Sequence, residues 1–211
     1  MMDTRIEQLR NSSGEADTHG LSNELVDSFL KIDPNLNIAL DLAIKARENL
    51  DDEVEDLLVS LNESQFAREL QKDFVNFYEP STVNPYIPLA AKGPWIITTH
   101  GAVVHDNGGY GMLGMGHDPT EVMSSMSKSH VMANVMTPSV THKRFADTLK
   151  REVGHTRGAC PFDRFICMNS GSESVTVAMR ISDINARLMT DQEGPHQGKE
   201  IWTVALDSGF H

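Results

Sequence analysis

Apolar side chains recur at helical spacing through the first third of the chain. Leu21, Leu25, Val26 and Phe29 mark a short helix that begins at Ser22 and stops before Asp33-Pro34. Ile38, Leu42, Ala46 and Leu50 predict a second helix, and Val54, Leu57, Leu58 and Leu61 a third. Phe66, Leu70, Phe74 and Phe77 line one face of a fourth. Asn62, followed three residues later by Gln65, has the form of a capping box at its start. Residues 1–20 are polar, contain Gly14 and Gly20, and read as a disordered terminus. Residues 21–78 are thus expected to be helical and separable from the α/β part of the chain.

The pattern then changes. Pro80, Pro85, Pro88 and Pro94 make Glu79–Pro94 an extended connector. Trp95–Thr99 and Ala102–His105 predict two short strands around Gly101, and Asn107-Gly108 a tight turn. Gly109–Gly116 holds four glycines but lacks the strand that a dinucleotide fingerprint needs before it. Asp118 as N-cap, Pro119 at the first helical position and Glu121 near the third mark a helix start. Val140, Phe145, Leu149 and Val153 predict another helix, closed by Gly154.

The stretch Asp163–Asp183 organises the rest. Phe165–Met168 reads as a buried strand, Asn169–Ser172 as a turn, and Val177, Ile181, Ile184 and Leu188 as a helix from about Ser172 to Met189. A second apolar run, Ile201–Leu206, completes a βαβ unit with an expected right-handed crossover. A strand, a glycine turn and a helix N-terminus form an anion site, because the first backbone N–H groups of a helix lack partners and the macrodipole favours negative charge. Parallel strands would bring the Gly171 loop and the Phe210 loop to one sheet edge, where ligands of open α/β sheets bind.

Composition narrows the classes. The chain has 211 residues and a formal net charge of −12. Eighteen acidic and seven basic side chains fall in residues 1–80, against twelve and eleven in the remainder. Nucleic acid and anionic membranes are therefore poor partners for the first part. No apolar run has membrane-spanning length and the N-terminus lacks a signal-peptide pattern, so a cytoplasmic location is expected. Cys160 and Cys167 form no metal spacing, and Cys167 is expected as a buried thiol. Six of the 11 methionines lie between Met112 and Met136, a core or subunit-contact zone.

Asn169-Ser170-Gly171-Ser172-Glu173 before an apolar helix, then a strand ending in Phe210-His211, resembles the class III aminotransferases, fold type I pyridoxal-phosphate enzymes. The resemblance covers the N-terminal half of that family's pattern. It implies an α/β fold: the start of a three-layer αβα large domain, here preceded by an acidic helical region. It implies pyridoxal 5′-phosphate as cofactor. Gly171 and Ser172 would donate N–H groups to its phosphate and Phe210 would stack on its ring, with Ser170 and His211 beside them. Gly116-His117-Asp118-Pro119 is similar to a shortened form of the family's Gly-His-x-x-Pro segment, which implies that Tyr110 and Gly111 line the substrate pocket. His117 itself reads as a packed or capping histidine, and the family has an aspartate matching Asp106. Departures are Ser174 for a usual alanine and Thr176 for a frequent acid, which leave the subgroup open.

The division expected from these readings is residues 1–80, an acidic helical region; 81–160, small antiparallel strands and helices; and 161–211, the first βαβ of the large domain. The family's pyridine-binding aspartate and Schiff-base lysine lie downstream of these motifs, so no catalytic residue is expected in this chain, and Lys31, Lys45, Lys72, Lys92, Lys128, Lys143, Lys150 and Lys199 do not match the lysine. The implied function is amino-group transfer between an amino donor and a 2-oxo acid or aldehyde, by a homodimer when full length. Decarboxylase, aminomutase and lyase activities on the same fold remain open, as does a truncated, non-catalytic interaction module. Gly171–Val175 does not match the Gly-x-Ser-x-Gly of a hydrolase elbow, no Gly-Lys-Ser/Thr precedes a helix, and no His-Glu-x-x-His suggests zinc.

Overall fold

The computed structural model describes residues 2–75, 86–107, 114–131 and 136–204. The described chain mixes helices with a small antiparallel sheet, and it divides into two compact units, Met1–His130 and Val131–His211.

The first unit opens with α1 (Thr4–Asn11), α2 (Asn23–Leu30), α3 (Pro34–Glu48), α4 (Asp52–Ser60) and α5 (Glu63–Gln71). Disorder is the expectation for residues 1–20. Instead Asp3 caps α1 by accepting from the Arg5 N–H, and α1 buries Ile6 and Leu9. The polar average of the segment hides two apolar residues three apart on one helical face.

The buried face of α3 is Leu36, Ala39, Leu40, Ala43 and Arg47, whereas Ile38 is exposed. Of the predicted stripe, Ile38 is exposed and Leu42, Ala46 and Leu50 are only half-buried. Small alanines at 39 and 43 let the helix sit close on a sheet, which a purely hydrophobic count overlooks. α5 begins at the predicted capping box, with Asn62 Oδ1 accepting from Gln65 N–H and Gln65 Oε1 from Asn62 N–H. It ends at Gln71, so Phe74 lies beyond it and is exposed; Phe77 falls outside the described residues.

The sheet has order β1-β2-β3, with β1 Pro88–Lys92, β2 Trp95–Thr98 and β3 Val103–His105. The two predicted strands are present. The third, β1, lies where prolines predict only a connector. Pro88 stands at its first residue, on an edge strand, where a missing N–H costs least. Lys92 pairs with Trp95 across Gly93-Pro94, and Gly93 takes φ 56°. Gly101 turns β2 into β3 at φ 73°, and a Cβ there would lie 2.8 Å from Arg10 Cγ.

One core joins helices and sheet: Ile6 and Leu9 of α1, Val26 of α2, and the α3 face meet Trp95, Ile97 and Val103. The division expected at residue 80 runs through this shared core. The Trp95 indole N–H donates to Asp33 Oδ2 at 2.7 Å, while Asp33 Oδ1 caps α3 through the Asn35 N–H at 2.9 Å. Burial raises the Asp33 pKa, but these two bonds outweigh it and hold the carboxyl below its usual range.

The Gly116-His117 segment pairs back on the β1–β2 turn. Gly93 N–H donates to His117 O at 3.0 Å, and His117 N–H to Gly93 O at 2.7 Å. Gly116, at φ 74°, approaches Gly93 so closely that a Cβ would lie 2.9 Å from its carbonyl oxygen. The helix α6 (Thr120–Met126) comes next, with Pro119 rather than Asp118 as its N-cap, one residue later than predicted. Asp118 instead has φ 46° and accepts from Lys92 Nζ at 2.8 Å.

The second unit holds α7 (Val140–Gly154) and α8 (Gly171–Thr190). Its predicted βαβ is corrected in its strands. Phe165–Met168 and the described part of the second run, 201–204, are not in strands. A buried parallel strand needs neighbours on both edges and cover on both faces, and among the described residues these runs meet no strand partner. Gly154 is the only described residue of this unit that is buried. Cys167, expected in a core, is exposed. Among the described residues no helix is long and apolar enough to cross a membrane.

Candidate functional site

Ser170 takes an extended conformation (φ −142°, ψ 160°) and so stands just outside the helix as N-cap of α8. Its Oγ accepts from the Glu173 N–H at 3.2 Å. Glu173 turns back, and its Oε2 accepts from the N–H groups of Asn169 at 2.9 Å and Ser170 at 3.2 Å. This capping box is not among the sequence expectations, although Ser-x-x-Glu before an apolar run carries its signature. It explains why the helix starts at Gly171 and not later.

The remaining donors are the first two of the helix. Gly171 N–H and Ser172 N–H have no acceptor among the described residues. A Cβ on Gly171 would meet nothing within 4 Å, so the turn opens on free space. Two adjacent N–H groups at a positive helix end suit an oxyanion. The Glu173 carboxylate in the same turn opposes it, though its charge is partly met by the Asn169 and Ser170 N–H groups. The donor set therefore fits a phosphate, weakly and in an exposed setting. Of the residues expected to share this site, Ser170, Gly171 and Ser172 come together at α8. Phe210 and His211, and the pocket candidates Tyr110 and Gly111, lie outside the described residues.

His117 sits where a packed histidine would. Its Nε2 lies 3.1 Å from Asp106 Oδ2, and both side chains are mostly buried. The pair joins the end of β3 to the Gly116-His117 segment, a structural task.

A second cluster is not visible in the sequence. Glu63, in the first turn of α5, is fully buried, and its Oε2 accepts from the N–H groups of Asp17 at 2.9 Å and Thr18 at 2.7 Å. Its Oε1 lies 3.9 Å from His100 Nδ1. His100 stands in the β2–β3 turn, with Thr99 Oγ1 3.0 Å from its Nδ1. Burial pushes the His100 pKa down; Glu63 and Asp17 pull it up, and Arg47 adds to the lowering. The ring is therefore neutral near pH 7, and its approach to Glu63 is not an ion pair. Arg47 is buried too, and its Nη2 donates to Ser12 O at 2.6 Å and lies 3.3 Å from Glu55 Oε1.

Glu63 Oε1, His100 Nε2 and Arg47 Nε and Nη1 are buried without protein partners among the described residues. An unmet buried polar group costs about 1–3 kcal/mol, so four of them call for solvent or a ligand. His100 also lines a cavity of about 610 Å3, walled mainly by the segment 13–24. Sequence reading misses this centre because Glu63, His100 and Arg47 are far apart in the chain and carry no motif spacing.

Among the described residues no group of three His, Cys, Asp or Glu side chains is placed to hold a metal ion. Comparisons with protein-family models, curated proteins and solved structures find no match to this chain.

Proposed function

We propose that this chain is the N-terminal portion of a pyridoxal-phosphate-dependent aminotransferase, with the α8 turn as the seat of the cofactor phosphate. One observation carries the reading: Gly171 and Ser172 present two unclaimed N–H groups at a helix start fixed by the Ser170–Glu173 capping box. The resemblance of Asn169–Glu173 to the class III turn supports it.

Each residue then has a defined part. Ser170 and Glu173 hold the turn in shape. Gly171 and Ser172 donate to the phosphate, and the absence of a side chain on Gly171 leaves room for the approach. Such a helix start contributes about 0.3–1 kcal/mol per exposed charge, up to ~2 when partly buried, so it orients the cofactor more than it retains it. When bound, the cofactor supplies an electron-withdrawing ring that takes up and passes on an amino group. The lysine and acid that this chemistry needs are not among the residues assigned to the turn. Amino donor and acceptor are the small-molecule partners, and a second copy of the full-length protein is the macromolecular one. Exposed Met115, Met123 and Met126 suit that contact.

The second unit supports a sheet built from more strands than the described residues supply. Ile166, Ile201 and Val204 are exposed in segments outside helices and strands, and Ile181, Ile184 and Leu188 on one side of α8. Covering strands would bury them, as the αβα architecture requires.

The test is Ser172→Pro. Proline at this second helical position removes one of the two donors and is tolerated by helix geometry near a helix start. Binding of pyridoxal phosphate, monitored by its absorbance, is expected to weaken several-fold while the helix content by circular dichroism holds. Unchanged affinity in a folded variant overturns the assignment.

A further inference from the structure

Residues 13–20, between α1 and α2, are tied to α4 and α5 by polar bonds. Gly14 N–H donates to Leu58 O at 2.8 Å, and Glu15 O accepts from Glu63 N–H at 2.9 Å. Asp17 and Thr18 N–H donate to Glu63 Oε2 at 2.9 and 2.7 Å. Asp17 Oδ2 accepts from the Ser64 N–H at 3.1 Å and from the Ser64 hydroxyl. None of residues 13–20 is buried, and Ala16 is the only apolar side chain among them. Lifting this strap breaks hydrogen bonds but takes none of its own side chains out of the core. Segments of that kind open at a lower free energy than the fold they lie on.

The carboxylate that holds the strap is itself hidden, beside a histidine. The Glu63 and His100 side chains are both 0% exposed, and Glu63 Oε1 lies 3.9 Å from His100 Nδ1. Phe66 of α5 packs against the imidazole, with ring centroids 6.4 Å apart. A charged ring formed there would be a buried cation near a second one, Arg47 of α3, and a buried charge needs water or a close partner. Glu63 of α5 and Asp17 of the strap favour the charged ring, while Arg47 and, above all, burial oppose it. Two further charges act through these: Glu55 of α4 lies 3.3 Å from Arg47 Nη2, and Arg68 of α5 acts on Asp17. Arg10 of α1, His19 of the strap and Glu24 of α2 line the same cavity as His100.

We propose that residues 13–20 form an acid-opened strap: protonation of His100 goes with release of the strap from Glu63 and entry of water to the Glu63–His100–Arg47 centre, while α3 and the sheet stay folded. One proton is taken up from solvent by the imidazole on opening. The ring's folded pKa is depressed, so the strap is fully closed above about pH 6.5, the solvated value. It opens progressively as pH falls from there toward the folded value, and one proton raises the opening constant by at most about tenfold per pH unit. The device shares no residue with the α8 turn, and its test needs no cofactor.

The experiment is amide hydrogen exchange of the whole chain by NMR between about pH 7 and 5, expressed as protection factors so that the intrinsic pH dependence of exchange is removed. Asp17 and Thr18 report the strap, and Leu40, 0% exposed within α3, reports the core. Asp17 and Thr18 are expected to be at least about tenfold less protected than Leu40, and to lose protection several-fold per pH unit below about pH 6.5. H100Q is expected to abolish that pH slope, and H19Q to keep it. If H100Q does not fold, the parent and H19Q decide. Strap protection equal to that of Leu40 would mean that the strap opens only with global unfolding, and overturns the proposal. So does a parent slope of zero, a slope that survives in H100Q, or a slope lost in H19Q.

Discussion

Asp33→Ala is the sharpest stability test of the first unit, because one carboxylate does two tasks there. Oδ1 caps α3 through the Asn35 N–H, and Oδ2 accepts from the buried indole of Trp95. Removing an N-cap oxygen costs about 1 kcal/mol, within 0.5–2. Leaving the Trp95 N–H buried and unpaired costs about 1–3 kcal/mol more, since Trp95 is only 1% exposed. The expected loss is therefore about 2–4 kcal/mol. Asp33→Asn keeps one acceptor oxygen and should lose roughly half as much. Urea unfolding monitored by far-UV circular dichroism measures both variants. The same carboxyl predicts a pH dependence. Its folded pKa is depressed, so its contribution is present above about pH 4, the unfolded value, and is lost as pH falls through the lower folded value. Asp33→Asn should therefore flatten the acid limb of the stability profile. A loss below about 0.5 kcal/mol in Asp33→Ala would refute the idea that the cap and the indole bond tie α3 to the sheet.

Ser170→Ala should fray the start of α8 and cost that helix about 1 kcal/mol, seen as faster amide exchange at Glu173; unchanged exchange would show the capping box to be idle. Gly101→Ala should destabilise the first unit by at least about 1–2 kcal/mol, because φ is 73° and the new Cβ would lie 2.8 Å from Arg10 Cγ; a neutral effect in thermal unfolding would contradict that geometry. His100 has a depressed folded pKa, so its share of stability is complete above about pH 6.5, its unfolded value, and declines as pH falls toward the folded value; His100→Gln should remove that slope in unfolding titrations, and an identical slope would disprove its neutral burial. The chain alone should show no transaminase turnover, and borohydride trapping with pyridoxal phosphate should label no lysine preferentially; one dominant labelled lysine with turnover would require a new catalytic base.

Local chemistry is legible where it is self-contained. The Asn62–Gln65 capping box, the Ser22 start of α2 and the β2–β3 turn at Gly101 depend on neighbours a few residues apart, and each is readable. Failures come where distant contacts decide. Ile6 and Leu9 fold into α1 because Leu36, Leu40 and Ile97 are there to bury them, and nothing within residues 1–20 announces those partners. The α3 face is misread because Ala39 and Ala43 make the contact and Ile38 does not. Phe165–Met168 has strand composition, but a strand is made by its neighbours, and pairing is a property of the sheet. At the candidate site, the turn 170–173 is readable as a helix start; the Glu63–His100–Arg47 centre, assembled from three elements, is not.

The central claim is that Gly171 and Ser172 form a phosphate seat for pyridoxal phosphate. Titrating the labelled chain with pyridoxal phosphate and, separately, with pyridoxal, which lacks the phosphate, tests it most directly. The amide resonances of Gly171 and Ser172 should move saturably with pyridoxal phosphate and stay in place with pyridoxal. Equal movement with both compounds, or movement with neither, would contradict the claim.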